Sequence, residues 1–194
     1  KTAAVTNSQY GIKFDPSTYS KDIIIEGADI TGTDISALLL HQVQNVLVKS
    51  VYFVTRKWED RNADMATISI SGDYTKNIRV LSNSIGNHSP KGIKKYKPGV
   101  KIEDGNDILI QSLVVRENTV PGVYVCTEAK NVVLDGIAAS DRTMKTAELN
   151  TLGVYLSSSN VFYNGENLQN IRNKFILEDS KNTKLVRFTK KTAP

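Results

Sequence analysis

The sequence predicts an all-β chain wound as a parallel β-helix, a solenoid of about seven short three-strand turns. Three observations predict it. A polar residue recurs ahead of a short apolar-alternating run at Asp22, Asn45, Asn77, Asp107, Asn131, Asn160 and Asn182. A small residue stands five positions later in the first six units: Gly27, Ser50, Ser82, Ser112, Gly136 and Gly165. A further short run precedes each anchor, and one such unit alone could not bury its apolar side, so its neighbours must repeat it.

The unit is plainest in Pro121 to Asp141, where Val123, Val125, Val132, Leu134, Ile137 and Ala139 alternate with polar residues and Asn131 and Gly136 punctuate them. Apolar alternation broken by turn residues is the mark of strands. One residue past the anchors stand Ile23, Val46, Ile78, Ile108, Val132 and Val161. Three past them come Ile25, Val48, Val80, Ile110, Leu134, Tyr163 and, in the weaker last unit, Leu185. Eight past them lie Ile30, Phe53, Ile85, Val115, Ala139 and Leu168. The residue five past the anchor marks a tight corner, where Gly tolerates positive φ and Ser crowds the backbone little. The upstream strands run through Gly11–Phe14, Leu38–Leu40, Thr67–Ile70, Val100–Ile102, Val123–Val125, Val154–Leu156 and Phe175–Leu177. Anchor spacing is loose, so variation falls in the connection before the upstream strand: Val54–Ala66, Gly86–Gly99, Arg116–Pro121 and Ser140–Leu152. Insertions in a solenoid gather on one face, often the binding face. A β-sandwich would not demand the same offsets in unit after unit, and a leucine-rich repeat fails because its Leu and Asn spacing is absent.

At 194 residues, the chain reads as a single β-helix domain, 1–194. Residues 1–10 are expected to cover the first turn, 11–188 to form the turns and 189–194 a tail carrying Lys190 and Lys191. Charged residues at an open sheet end discourage edge pairing. A start at Lys1 points to a processed form or a fragment of a longer chain. Hydrophobic residues at 40% and charged ones at 23% describe an ordinary globular chain rather than a disordered one. No apolar run approaches the roughly 20 residues of a membrane-spanning helix. The lone cysteine, Cys126, excludes an internal disulfide framework and a Cys-based zinc site. A net charge of +5 favours anionic partners, while the absence of an aromatic-and-basic motif speaks against nucleic acid.

Units such as Gly122-Val-Tyr-Val, Asn131-Val-Val-Leu-Asp-Gly-Ile and Asn77-Ile-Arg-Val-Leu-Ser-Asn resemble right-handed parallel β-helices of the pectate-lyase superfamily, and the resemblance covers Gly11 to Phe188. It implies a surface cleft on the outer face of the upstream strands, walled by the long loops. It also implies a functional range from polysaccharide lyases, glycoside hydrolases and epimerases to phage tailspikes and appendages, the last as homotrimers. Superfolds host many chemistries, so the fold leaves function open. The family's paired-Asp, Arg-x-Pro-x-x-Arg and Asp-Pro-His-Asp catalytic signatures are absent from this sequence.

Alternation turns Lys13, Leu39, Ser69, Lys101, Tyr124, Tyr155 and Ile176 outward on the upstream strands. Stacking then makes Lys101, Tyr124 and Tyr155 near-neighbours, a platform on which a sugar ring can pack. The bland alternative is an ordinary strand surface, where Tyr is favoured in any case. A glycosidase needs two carboxyl groups roughly 5–10 Å apart. Glu103, Asp60, Asp64 and Asp141 are the candidates, against the plainer reading of solvated loop charge. The same acids could take calcium, although EF-hand spacing is absent. The loop Asn87–Lys97 carries Lys94, Lys95 and Tyr96 among four lysines and would attract a uronate polymer or a teichoic acid; such charge runs also simply solubilise. Neither His41 nor His88 declares a role, and no His-containing dyad with Cys126 is visible.

Two functions follow. The first is a glycan-interacting domain of a phage tailspike or appendage, extracellular or on the virion surface, that recognises and could cleave an acidic cell-surface polysaccharide or teichoic acid. The second is a secreted polysaccharide lyase or glycoside hydrolase. A structural shaft or adhesin without a ligand cleft is the third and plainest reading.

Overall fold

The computed structural model describes residues 4–5, 8–55, 66–87, 98–116, 122–140, 152–156, 161–169 and 173–178. The chain begins with β1 (Ala4–Val5), β2 (Ser8–Lys13), β3 (Ser20–Glu26), β4 (Asp29–His41), β5 (Val43–Lys49) and β6 (Tyr52–Thr55). It continues through β7 (Ile68–Ser71), β8 (Lys76–Leu81), β9 (Ser84–Asn87), β10 (Val100–Ile102), β11 (Asn106–Gln111) and β12 (Val114–Arg116). The last strands are β13 (Val123–Val125), β14 (Lys130–Ser140), β15 (Leu152–Leu156), β16 (Val161–Gln169) and β17 (Asn173–Glu178). The described residues contain no helix, and therefore none long and apolar enough to cross a membrane.

Every strand pairing is parallel, and the pairings form three ladders. The first holds β2, the end of β4, β7, β10, β13, β15 and β17. The second holds β3, β5, β8, β11 and the leading halves of β14 and β16. The third holds β1, the start of β4, β6, β9, β12 and the trailing halves of β14 and β16. The chain visits the ladders in rotation, an all-β arrangement compatible with a parallel β-helix or solenoid. Ala4–Val5, in the segment expected as a cover, is itself a strand of the third ladder.

The core is built of like upon like. Val46, Ile78, Ile108 and Val132 pair rung on rung, and all four are buried. Val48, Val80, Ile110 and Leu134 form a second fully covered column two residues on, and Phe53, Ile85 and Val115 a third. Burying each such side chain contributes roughly 1.5–3 kcal/mol. Asn83 is among the buried polar residues: its side chain accepts from the Val51 N–H at 2.8 Å and donates to the Val48 carbonyl at 3.0 Å, so both amide ends are satisfied.

The recurring anchor has a backbone reason. Asp22, Asn45, Asn77, Asp107 and Asn131 all lie in the left-handed region, at φ between 50° and 58°. Asn and Asp are the non-glycine residues that tolerate it best. Their side chains also link successive rungs: Asn45 donates to Asp22 and Asn77 to Asn45, both at 2.9 Å, and Asn131 donates to Asn106 at 2.8 Å. The small residue five past the anchor marks a second left-handed corner, with Ser50, Ser82 and Ser112 at φ 52–53° and Gly27 and Gly136 just above 60°.

Three local departures bear on the site. β4 runs unbroken from the third ladder into the first, so no long connection separates those two passes. The corner from Ser71 to Asn77 is two residues longer than its neighbour from His41 to Asn45. The pairing of β15 with β17 shifts register between Leu152 and Val154, so Leu177, not Ile176, lies opposite Tyr155.

Replacing Asn77 separates strain from side-chain bonding. Asn77→Val should lower stability by about 1–2 kcal/mol in urea unfolding, because a β-branched residue resists positive φ. Asn77→Gly should lose less, since the corner's conformation is free to it.

Candidate functional site

Two columns on the first ladder hold the candidate site residues that fall among the described ones. Lys13, Leu39, Ser69, Lys101, Tyr124 and Tyr155 stand in register across β2, β4, β7, β10, β13 and β15. The column is open over only part of its length. Leu39 and Ser69 are buried, at 7% and 5% exposure, so the expectation that they face solvent is corrected; the Ser69 hydroxyl accepts the Ala66 N–H at 3.0 Å. Lys101 and Tyr124 are half-buried. Two residues further along the strands, His41 pairs with Ser71. Glu103 and Cys126 take the equivalent places on the next two rungs, where their N–H groups donate to the Ile70 and Ile102 carbonyls at 2.9 and 2.8 Å.

Within this patch the ammonium of Lys101 meets the Glu103 carboxylate at 2.5 Å. The lysine side chain is 13% exposed and the glutamate 45%, so the pair presents its carboxylate to solvent more than its ammonium. His41 Nδ1 and Ser71 Oγ lie within hydrogen-bond distance, 2.8 Å apart. Asp104, on the corner after Glu103, accepts the Gly72 N–H. Burial pushes the Asp104 carboxyl above its ordinary value; the Gly72 N–H opposes this, the Asp73 and Glu103 charges add to it, and His41 draws it back slightly. Burial also pushes the Cys126 thiol up, against the Lys101 charge and a hydrogen bond with the Tyr124 side chain. A thiol held protonated is a weak nucleophile.

The insertion points of the long connections share a flank. Val54, Gly86, Arg116 and Ser140 pair across the third ladder, each directly before a connection that returns to the first. Those connections therefore leave the ladder one above another, beside the face that carries Lys101 and Tyr124. Asp60, Asp64, Asp141, Lys94, Lys95 and Tyr96 all lie outside the described residues, and of Tyr155 the strand position is described. Among the described residues no group of three or more His, Cys, Asp or Glu side chains is placed to hold a metal ion.

Sequence reasoning found the Lys101–Tyr124–Tyr155 column, because alternation and register fix it. It missed the His41–Ser71 pair and Asp104. Equal offsets between successive upstream strands would have aligned His41 with Ser71; nothing in the sequence signals the Gly72 contact of Asp104. No protein-family model, curated protein or solved structure matches the chain.

The Asp104 environment carries a sign. A carboxyl whose folded value is raised favours the native state most below its unfolded value near 3.8, and that contribution is lost as pH rises through the folded value. Asp104→Asn keeps an acceptor for the Gly72 N–H and removes the charge. The variant should therefore gain stability over the parent at neutral pH in urea unfolding, with the difference closing in acid. A variant weaker than the parent at pH 7 would show that the carboxylate is stabilising there.

Proposed function

We propose that the chain is a right-handed parallel β-helix of about seven turns, of the pectate-lyase type, that binds an anionic cell-surface glycan. The setting that suits it is a phage tailspike or appendage, extracellular or on the virion surface and assembled as a homotrimer. The observation that carries the reading is the column Lys101–Tyr124–Tyr155, standing beside the row from which the long connections depart. Stacked aromatic positions one rung apart suit successive sugar rings, since a tyrosine offers an apolar face and a polar tip. The paired Lys101 and Glu103 supply a donor and an acceptor to hydroxyl or carboxylate groups of the ligand.

Cleavage is the second reading, and Asp104 favours it. Asp104, a half-buried carboxyl that burial raises above its ordinary value, stands next in sequence to the Glu103 carboxylate, and a raised carboxyl suits a general acid. A lyase or a glycoside hydrolase would each fit this surface.

Polygalacturonate and teichoic-acid oligomers distinguish the readings. Binding without products is expected of the recognition module, with Tyr124→Ala weakening affinity about tenfold. New reducing ends, lost in Asp104→Asn, would mark a hydrolase; ultraviolet absorbance from unsaturated ends would mark a lyase. Failure to bind any of these polymers would reject both readings.

A further inference from the structure

The corner between the first and second ladders carries an aromatic pair that belongs to neither column described above. Tyr19 and Tyr74 are 69% and 54% exposed, yet their ring centroids are 4.7 Å apart in an edge-to-face contact at 67°. The two residues sit two rungs apart, since Lys21 pairs with Gln44 and Gln44 with Lys76. They lean together over the rung between, where the Gln42 side-chain carbonyl accepts the Tyr74 N–H at 3.1 Å. Edge-to-face packing leaves a ring face turned to solvent, an apolar surface on which a sugar ring can pack.

The adjoining column says which ligand. In register along the start of the second ladder come Lys21, Gln44, Lys76, Asn106 and Lys130. Lysine and amide alternate, which sets the ammoniums about 9–10 Å apart, two rung spacings of roughly 4.8 Å. Lys21, Lys76 and Lys130 are exposed, and none makes an ion pair with a described residue. A row of exposed cations at a two-rung period matches an anion that recurs once per disaccharide of an extended glycan. The charge alone would serve any polyanion; the open tyrosine faces beside it add a surface for sugar rings.

We propose that this corner is a binding track for a linear uronate-bearing glycan, with a sugar ring on the Tyr19–Tyr74 pair and carboxylates on Lys21, Lys76 and Lys130. The proposal rests on the reading that the protein binds anionic glycans and adds a second, separate track to it. The chain of the ligand would run along the stacking direction.

Calorimetric titration with hyaluronan oligosaccharides, whose carboxylates fall on every second sugar, tests it. Uncharged chito-oligosaccharides of equal length and a single-stranded DNA oligonucleotide serve as comparisons. The full chain should bind the hyaluronan probe and prefer it to both others. Lys76→Glu and Tyr74→Ala should each weaken it about tenfold. Lys49→Glu, a charge reversal at the far end of the same ladder, where Lys49 pairs with Glu26, should leave it within about twofold. Lys76→Glu remains informative should Tyr74→Ala lose its fold. Equal loss in Lys49→Glu and Lys76→Glu would reduce the track to diffuse attraction and overturn the proposal. So would DNA binding as tightly as hyaluronan with the same dependence on Lys76. If Tyr124→Ala and Lys101→Ala abolish binding while both corner variants keep it, the corner is overturned and the glycan reading stands. If hyaluronan, polygalacturonate and teichoic-acid oligomers all fail to bind, both are overturned.

Discussion

Parallel in-register stacking is the constraint on which everything else in this molecule depends. A single rung exposes its apolar row, and only the rungs above and below can cover it, so each interior position must agree with its counterparts. Val46, Ile78, Ile108 and Val132 show the agreement directly. The left-handed corners keep it, because a bend at the same residue in each pass prevents the strands from slipping past one another. A slip of one residue would turn the whole apolar set outward. The price falls on backbone conformation, which is why Asn, Asp, Ser and Gly hold those places.

The same constraint makes the surface orderly. Side chains outside the core repeat in columns as strictly as those inside, so a platform, an ion pair and a row of cations each arise by placing the right residue at the same offset in successive passes. The Lys101–Tyr124–Tyr155 column and the Lys21–Lys76–Lys130 row are two examples on different parts of the surface. Connections between the third and first ladders can vary in length without disturbing this order, since their ends are fixed by Val54, Gly86, Arg116 and Ser140 in one row. Recognition can therefore change while the stack does not.

Much of this was legible in the residues. The offsets from Asp22, Asn45, Asn77, Asp107 and Asn131 give the strands, the corners and the interior columns, because a repeated pattern reports its own register several times over. What the offsets do not contain is tertiary cover and contact across rungs. Leu39 and Ser69 alternate outward and are nonetheless buried. The longer corner at Ser71–Asn77 brings Gly72 to Asp104, and the shift between Leu152 and Val154 sets Leu177 opposite Tyr155. Tyr19 and Tyr74 are far apart in the chain and carry no common motif, so their contact belongs to geometry alone. The site was readable as positions and not as electrostatics, since burial of Asp104 and Cys126 depends on which side chains close around them.

Disulfide trapping tests the register most directly, in a chain whose own thiol is removed by Cys126→Ser. Arg79 and Leu109 face each other across β8 and β11, while Gln111 lies two residues further along the same strand. Neighbours in a parallel ladder lie about 4.8 Å apart, within the span a disulfide accepts. Arg79→Cys with Leu109→Cys should cross-link quickly under mild oxidation, and Arg79→Cys with Gln111→Cys should not. The reverse result, or equal cross-linking of both pairs, would contradict the stacked parallel register and the surface columns drawn from it.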